Sequence, residues 1–206
     1  MDEILPGLFH WSAFHDGIEQ PVHSSFVCDS ETLLDPMRPE GGLDVIAAVG
    51  GPRRIVLSNR HHFRHSAAYT DRFHCPVLCH EAGLDHFQGE HPVCGFTFDQ
   101  QLADDVLALE LASICAEETT LLLSVAGGVL SFGDGLTREE DGSLAFMPDA
   151  LLGENPETVK AGLCSNLMRM LDEEFDALLF AHADPVLADG RSMLEEFLVR
   201  EKTSSR

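Results

Sequence analysis

The sequence predicts one α/β or α+β domain, and three observations lead to that fold class. At 206 residues and 44% hydrophobic composition, the chain can bury one core, so a single domain is the default expectation. Segment 8–35 has the short apolar runs and tight turns of consecutive β-strands. Beyond it, short apolar strands alternate with segments of helical periodicity in both halves of the chain, which favours mixed α/β architecture.

The first half of the chain predicts a hairpin followed by alternating strands and helices. Gly50-Gly51-Pro52 should end the first helix, since glycine and proline stop helices. The predicted elements are a hairpin of Pro21–Cys28 and Thr32–Pro36, a helix over 42–49, a buried strand Arg54–Leu57, a helix Ser66–Phe73 and a strand Pro76–Cys79.

The second half begins with a predicted loop over 80–95 and then returns to strands and helices. Asn155 is the expected N-cap of a helix that has Pro156 at its first position and runs through Leu171. The other predicted elements are strands Phe96–Phe98 and Val106–Leu111, a hairpin of Thr119–Val125 and Gly128–Phe132, a strand Ala177–Phe180, a helix Gly190–Arg200 and a polar tail 201–206.

Composition excludes two classes of partner. The formal net charge is −22, from 13 Lys and Arg against 35 Asp and Glu, so the surface should repel nucleic acids and anionic lipids. No apolar run is long enough to span a membrane, and the acidic start lacks the layout of a secretory signal, which predicts a cytoplasmic protein. The six cysteines are then expected to be reduced.

A histidine-rich stretch, 55–66, is the candidate functional segment. It begins as a buried strand, carries His61, His62 and His65 within five positions, and leads into the helix that starts at Ser66. A strand followed by polar residues and a helix places those residues at the carboxyl edge of a sheet, where open α/β folds bind ligands. A second group, Cys75, Cys79 and neighbouring histidines and cysteines, has a spacing that fits no common zinc module.

The stretch resembles the His-x-His-x-Asp-His metal-binding signature of the metallo-β-lactamase superfamily. Aligned on His65, the signature's remaining ligands fall on Arg60, His62 and Arg64. Two later segments also match the family: Gly133-Asp134-Gly135, whose aspartate bridges two metals in the family, and Ala181-His182, whose histidine is a ligand. Another family histidine falls on Ile114.

The resemblance covers nearly the whole chain, 1–206. It implies a four-layer αβ/βα sandwich and four retained metal ligands: His62, His65, Asp134 and His182. Arginine replaces a ligand at Arg60 and Arg64, and a guanidinium cannot coordinate a cation, so the two-metal centre of the family is predicted to be incomplete.

Two functional hypotheses remain open at this point. In the first, one zinc or iron ion supports hydrolysis of a small ester, thioester or lactone, with Asp134 and His62 as catalytic residues. Arg60, Arg64 and His61 would then orient an anionic group of the substrate. In the second, no metal is bound, and the chain is a non-catalytic protein that holds an anion or small acid through Arg60 and Arg64. The resemblance leaves a homodimer open, since many members of the family dimerise.

Overall fold

Two β-sheets form the centre of the molecule in the computed structural model, which describes residues 1–89 and 92–204. The larger sheet has seven strands in the order of the chain. They are β1 (Asp2–Leu5), β2 (Leu8–His15), β3 (Gln20–Val27), β4 (Thr32–Leu34), β5 (Arg54–Val56), β6 (Val77–His80) and β7 (Val93–Phe96).

The smaller sheet has five strands, and a two-stranded ribbon, β12 (Thr137–Arg138) with β13 (Leu144–Ala145), lies beyond it. Its members are β8 (Gln101–Ala103), β9 (Val106–Glu110), β10 (Thr119–Leu123), β11 (Val129–Phe132) and β14 (Ala177–Phe180), in the order β14-β11-β10-β9-β8. The helices are α1 (Leu43–Ala47), α2 (Ser66–Phe73), α3 (Pro156–Met170) and α4 (Gly190–Ser204), with 3₁₀ segments at Arg60–Phe63, Glu81–His86 and Asp149–Leu151.

Alternating side chains of the strands divide the core into three apolar layers. In β10, Leu121 and Leu123 enter the layer between the two sheets, whereas Leu122 faces the layer shared with α3 and α4. A third layer lies under α2, where Tyr69 packs with Ile55 and other residues of the larger sheet. The order is therefore helix, sheet, sheet, helix, which confirms the predicted four-layer αβ/βα sandwich.

Two sets of parallel strands position the candidate site. Strands β4, β5, β6 and β7 pair in parallel in the larger sheet, and β11 pairs in parallel with β14 in the smaller one. The carboxyl ends of parallel neighbours meet at one edge, so Asp35 after β4 lies near Ser58 after β5. By the same rule Asp134 after β11 lies near His182 after β14.

Most predicted elements are present, and several predictions were wrong. Helix α2 and strand β14 have the predicted bounds, and Pro156 begins α3, although the Asn155 side chain makes no capping hydrogen bond. The predicted loop over 80–95 contains a 3₁₀ segment and most of β7, which pairs with β6. The expected tail is helical through residue 204, where Thr203 Oγ1 donates to the Val199 carbonyl; residues 205–206 lie outside the described chain.

None of the helices in the described part of the chain is both long and apolar enough to cross a bilayer. The cysteines that the structure describes are free thiols.

Two buried histidines join the second and third strands of the larger sheet. His10 Nδ1 lies 2.9 Å from Ser25 Oγ, and His10 Nε2 lies 2.9 Å from His23 Nδ1. Burial, together with the neighbouring His23, lowers the pKa of His10 to about 4. A pKa of about 4 makes His10 neutral in the folded protein at neutral pH. In the unfolded chain the pKa is near 6.5.

The free energy of unfolding should depend on pH because His10 is buried in its neutral form. Between pH 6.5 and 4 the unfolded chain binds a proton at His10 that the folded chain does not, so stability is complete above pH 6.5 and falls as the pH decreases. We expect the His10 contribution to reach about 3 kcal/mol. Urea unfolding of wild type and His10→Gln across this range should give curves that differ in slope. Parallel curves would contradict the assignment.

Candidate metal centre

Three side chains converge at the edge where the two sheets meet: His62, Asp134 and His182. The Nε2 atoms of His62 and His182 lie 3.2 Å and 2.9 Å from Asp134 Oδ1. The three candidate ligand atoms all lie within 4.8 Å of one another. Ligand atoms about 2.1 Å from a tetrahedral ion are separated by about 3.4 Å, so the cluster has the dimensions of a metal site.

Local sequence explains why these three side chains meet. His62 lies in the 3₁₀ segment Arg60–Phe63 after β5, and the side chain of Asn59 caps this segment by accepting a hydrogen bond from His61 N. Asp134 and His182 each lie two residues beyond the ends of β11 and β14, which run in parallel with Phe132 opposite Phe180. The larger sheet therefore supplies one ligand and the smaller sheet supplies two.

The orientation of His62 is fixed by contacts at its other ring nitrogen. His62 Nδ1 lies 2.8 Å from Ser58 Oγ and 3.0 Å from Asp35 Oδ2. Ser58 Oγ donates to Asp35 Oδ2 at 2.7 Å, so it accepts the Nδ1 proton of His62. Burial opposes the charge on His62, but Asp35 and Asp134 outweigh it and raise its pKa to about 9. A carboxylate that holds Nδ1–H is the usual support of a metal-binding histidine.

His182 has a comparable but weaker support. Its Nδ1 lies 3.4 Å from the side-chain amide nitrogen of Gln20, on β3. Since amide oxygen and nitrogen are assigned from such contacts, the Gln20 amide can present its oxygen to the Nδ1 proton instead. In both histidines the Nε2 atom is thus directed at Asp134.

Asp134 is the centre of the cluster, and both of its oxygens are engaged. Oδ1 faces the two histidines, and Oδ2 accepts a hydrogen bond from Asn59 Nδ2 at 2.9 Å. Burial alone would raise the pKa of Asp134, but the charge of His62 and the hydrogen bonds from both histidines hold it well below its usual range. The group is therefore an anion at neutral pH.

The turn that carries Asp134 is held by a second buried acid. Glu118 Oε1 accepts hydrogen bonds from the backbone N–H groups of Asp134 and Gly135, at 2.7 Å and 3.2 Å. Its other oxygen accepts from Asn59 Nδ2 at 3.1 Å. Burial, with the nearby charge of Asp134, raises the pKa of Glu118 to about 7.

The replaced ligand positions are occupied by internally bonded arginines. Arg60 Nη1 pairs with the buried carboxylate of Glu117 at 2.9 Å. Arg64 Nη1 donates to the backbone carbonyls of His23 and Asp35, both at 2.9 Å. His61 is exposed, and its ring contacts that of His86 edge-on, with centroids 5.5 Å apart.

His65, the remaining predicted ligand, does not join the cluster. Its Nδ1 accepts a hydrogen bond from Arg38 N at 2.9 Å, and it occupies the N-cap position of α2. The preceding residue, Arg64, has φ 43° and ψ −115°, and this turn directs His65 away from Asp134. The candidate ligand set is therefore His62, Asp134 and His182 rather than the four predicted residues.

Four residues of the site were absent from the predicted set: Asp35, Ser58, Asn59 and Glu118. Each follows or precedes a buried strand: Asp35 directly follows β4, and Glu118 directly precedes β10. Their positions at strand ends, combined with burial of a polar side chain, were the signal that could have identified them. The second histidine and cysteine group forms no metal cluster among the described residues; its His91 lies outside them.

A cavity of about 260 Å³ opens beside His182. The end of β12 and the turn that follows it form one wall, where Arg138 Nε donates to the Gly142 carbonyl at 3.0 Å. The lining side chains carry both charge signs; they include Arg138, Glu139, Glu140, His182 and Asp184.

The donor set fits one metal ion. Two imidazoles and one carboxylate are a common set for zinc or iron, and both imidazoles keep Nε2 toward the common point because Nδ1 is bonded elsewhere.

Fold and site together define a protein with the metallo-β-lactamase fold, and comparison with solved structures shows the same fold. A metallo-β-lactamase from Erythrobacter litoralis, with β-mercaptoethanol in its active site, has a TM-score of 0.70 and 15% identity, over 96% of this chain and 93% of that one. A metallo-β-lactamase family protein from Thermus thermophilus has a TM-score of 0.67 and 19% identity, over 98% and 81%.

A further structural neighbour, TTHA1623, was solved in a di-iron-bound form. Its TM-score is 0.60 with 19% identity, over 89% of this chain and 90% of that one. Neither a family model nor a curated protein matches the sequence. At these identities the likeness establishes the fold alone.

Proposed function

We propose that this chain is a metal-dependent hydrolase with one zinc or iron ion held by His62, Asp134 and His182. The observation that carries the proposal is the convergence of three ligand atoms within 4.8 Å, with the Nδ1 atom of His62 held by Ser58 and Asp35. Such support for a histidine is characteristic of metal sites. When bound, the ion would act as a Lewis acid toward a substrate carbonyl.

The side chains of the site have separate roles in this proposal. His62 holds its proton at Nδ1 and leaves Nε2 for the ion. Asp134 is the ionised carboxylate at the centre of the cluster; its Oδ1 would hold the ion, and its Oδ2 stays bonded to Asn59. Ser58 and Asp35 do not touch the substrate; they orient His62.

The substrate proposed is a small ester, thioester or lactone, bound in the cavity beside His182. A volume of about 260 Å³ accommodates a small acyl compound. Arg138 lines this cavity and Arg64 does not, so Arg138 is better placed than the predicted Arg60 and Arg64 to contact a polar group of the substrate.

The alternative, an anion-binding protein without catalysis, receives less support. Arg60 is neutralised by Glu117, and Arg64 already donates to two backbone carbonyls. An anion would have to displace these internal acceptors.

Metal analysis tests the proposal. Protein purified without chelator should contain about one equivalent of zinc or iron by mass spectrometry, and Asp134→Ala should lose it because the central ligand is removed. The matched control is Asp172→Ala, an exposed aspartate just beyond α3 that should retain the metal.

Hydrolysis of 4-nitrophenyl acetate should follow metal content in these variants. A metal-free wild type, or an Asp134→Ala variant with an unchanged metal content, would overturn the proposal.

A further inference from the structure

We infer that Asn59 is a positioning residue that restricts this site to a single metal ion. The inference rests on the proposed function and concerns how many ions Asp134 can hold. Asn59 makes no hydrogen bond to Asp134 Oδ1, the oxygen that faces His62 and His182. It acts on the opposite oxygen of Asp134.

The orientation of the Asn59 amide is determined by its three partners. The side chain is fully buried, and its Oδ1 accepts a hydrogen bond from the backbone N–H of His61 at 2.9 Å. Since a backbone N–H can only donate, the oxygen must face His61, and the nitrogen must face Asp134 and Glu118. Both amide hydrogens then have acceptors, Asp134 Oδ2 and Glu118 Oε2, at 2.9 Å and 3.1 Å.

A second cation therefore finds a hydrogen-bond donor where it would need a ligand. A carboxylate can bridge two ions with one oxygen on each, and this mode is closed in Asp134 because Oδ2 accepts from Asn59. Two histidine Nε2 atoms already lie 3.2 Å and 2.9 Å from the other oxygen, Oδ1. An ion at Oδ2 would have to displace an amide N–H group from a buried position, which would leave that donor without an acceptor.

The charge of Arg64 also opposes a second cation. Burial lowers the pKa of the Arg64 guanidinium, and Asp35 and Asp134 are close enough to act against that shift. A permanent positive charge beside Asp134 opposes a second cation there, at a strength that burial increases.

Replacing the amide by a carboxylate should reverse the restriction. In Asn59→Asp one oxygen can still accept from His61 N, while the other replaces the nitrogen that lies 2.9 Å and 3.1 Å from oxygens of Asp134 and Glu118. Three carboxylate oxygens at such spacing form a cation site. Removing the amide in Asn59→Ala should instead leave Asp134 less firmly oriented.

The experiment measures zinc stoichiometry and affinity, by mass spectrometry of the loaded protein and by competition with a chromophoric chelator. We expect wild type to bind one zinc ion. Asn59→Ala should bind one ion with about 10–100-fold weaker affinity, as is typical when a residue supporting a ligand is lost. Asn59→Asp should bind two ions, a result that mere loss of structure does not produce. Asn166→Asp, on α3, is the matched control and should keep one ion.

The outcomes separate this inference from the proposed function. A wild type that binds neither zinc nor, when loaded with iron instead, any iron overturns both. A wild type that binds two ions overturns this inference and the one-ion stoichiometry, even if the variants fail to fold, but it leaves metal-dependent hydrolysis as the proposed activity. One ion in wild type and in Asn59→Asp, with unchanged affinity in both Asn59 variants, overturns this inference alone.

Discussion

Asp35→Ala is expected to destabilise the metal-free protein by about 3–5 kcal/mol, because it leaves the charge of His62 buried with one partner fewer. The Asp35 carboxylate accepts hydrogen bonds from Ser58 N and Ser58 Oγ at 2.8 Å and 2.7 Å, and it lies 3.0 Å from His62 Nδ1. The charges of His62 and Arg64 overcome its burial and hold its pKa below the usual value. Urea unfolding at pH 7 measures the loss.

Two further variants identify the cause. Asp29→Ala removes an exposed aspartate from the turn before β4 and should change stability by less than about 0.5 kcal/mol. Asp35→Asn keeps a residue that tolerates the observed φ of 43° while removing the charge. If Asp35→Asn were as stable as wild type, the ion pair with His62 would not be the source of the effect.

Gly128→Ala is expected to prevent stable folding. Gly128 has φ +92°, and a Cβ at this position would overlap the backbone oxygen of Glu174. Its carbonyl also accepts from the N–H groups of Asp176 and Ala177, at 3.0 Å and 3.3 Å, where β14 begins. The added methyl group would push β14 away from β11, and a cost well above about 3 kcal/mol follows from strain and lost pairing together.

The neighbouring glycine provides a matched control. Gly127 has φ +90°, but a Cβ there meets no atom within 4 Å. Gly127→Ala should therefore cost only the backbone strain, about 1–2 kcal/mol. Expression yield and thermal unfolding of the two variants compare the clash with the strain alone. Equal stability of the two variants would show that the contact with Glu174 is not the cause.

The sequence was sufficient to predict elements whose signals are local. Strand β14 is an unbroken apolar run that ends just before His182, and its bounds agree with the prediction. Helix α2 also has the predicted bounds; it follows a histidine-rich turn and ends before His74, which has a left-handed backbone conformation. Strand β8 was missed because Gln101–Ala103 has no apolar alternation and is specified by pairing with β9.

The site was predictable only in part, for a similar reason. His62, Asp134 and His182 each follow a recognisable strand, and motif spacing places them at one edge. The spacing does not determine direction: Arg64 has a positive φ of 43°, and His65 after it accepts a hydrogen bond from Arg38 N. Asn59 and Glu118 meet across 59 residues of chain, and no local pattern predicts such a contact.

The three candidate ligands come from both sheets. His62 belongs to the larger sheet, whereas Asp134 and His182 belong to the smaller one, and the apolar layer between the sheets joins the two halves. Any sliding of one half over the other would pull the histidine out of register with its partners. Close packing of leucine and valine side chains between the sheets thus determines how precisely the three ligand atoms are positioned relative to one another.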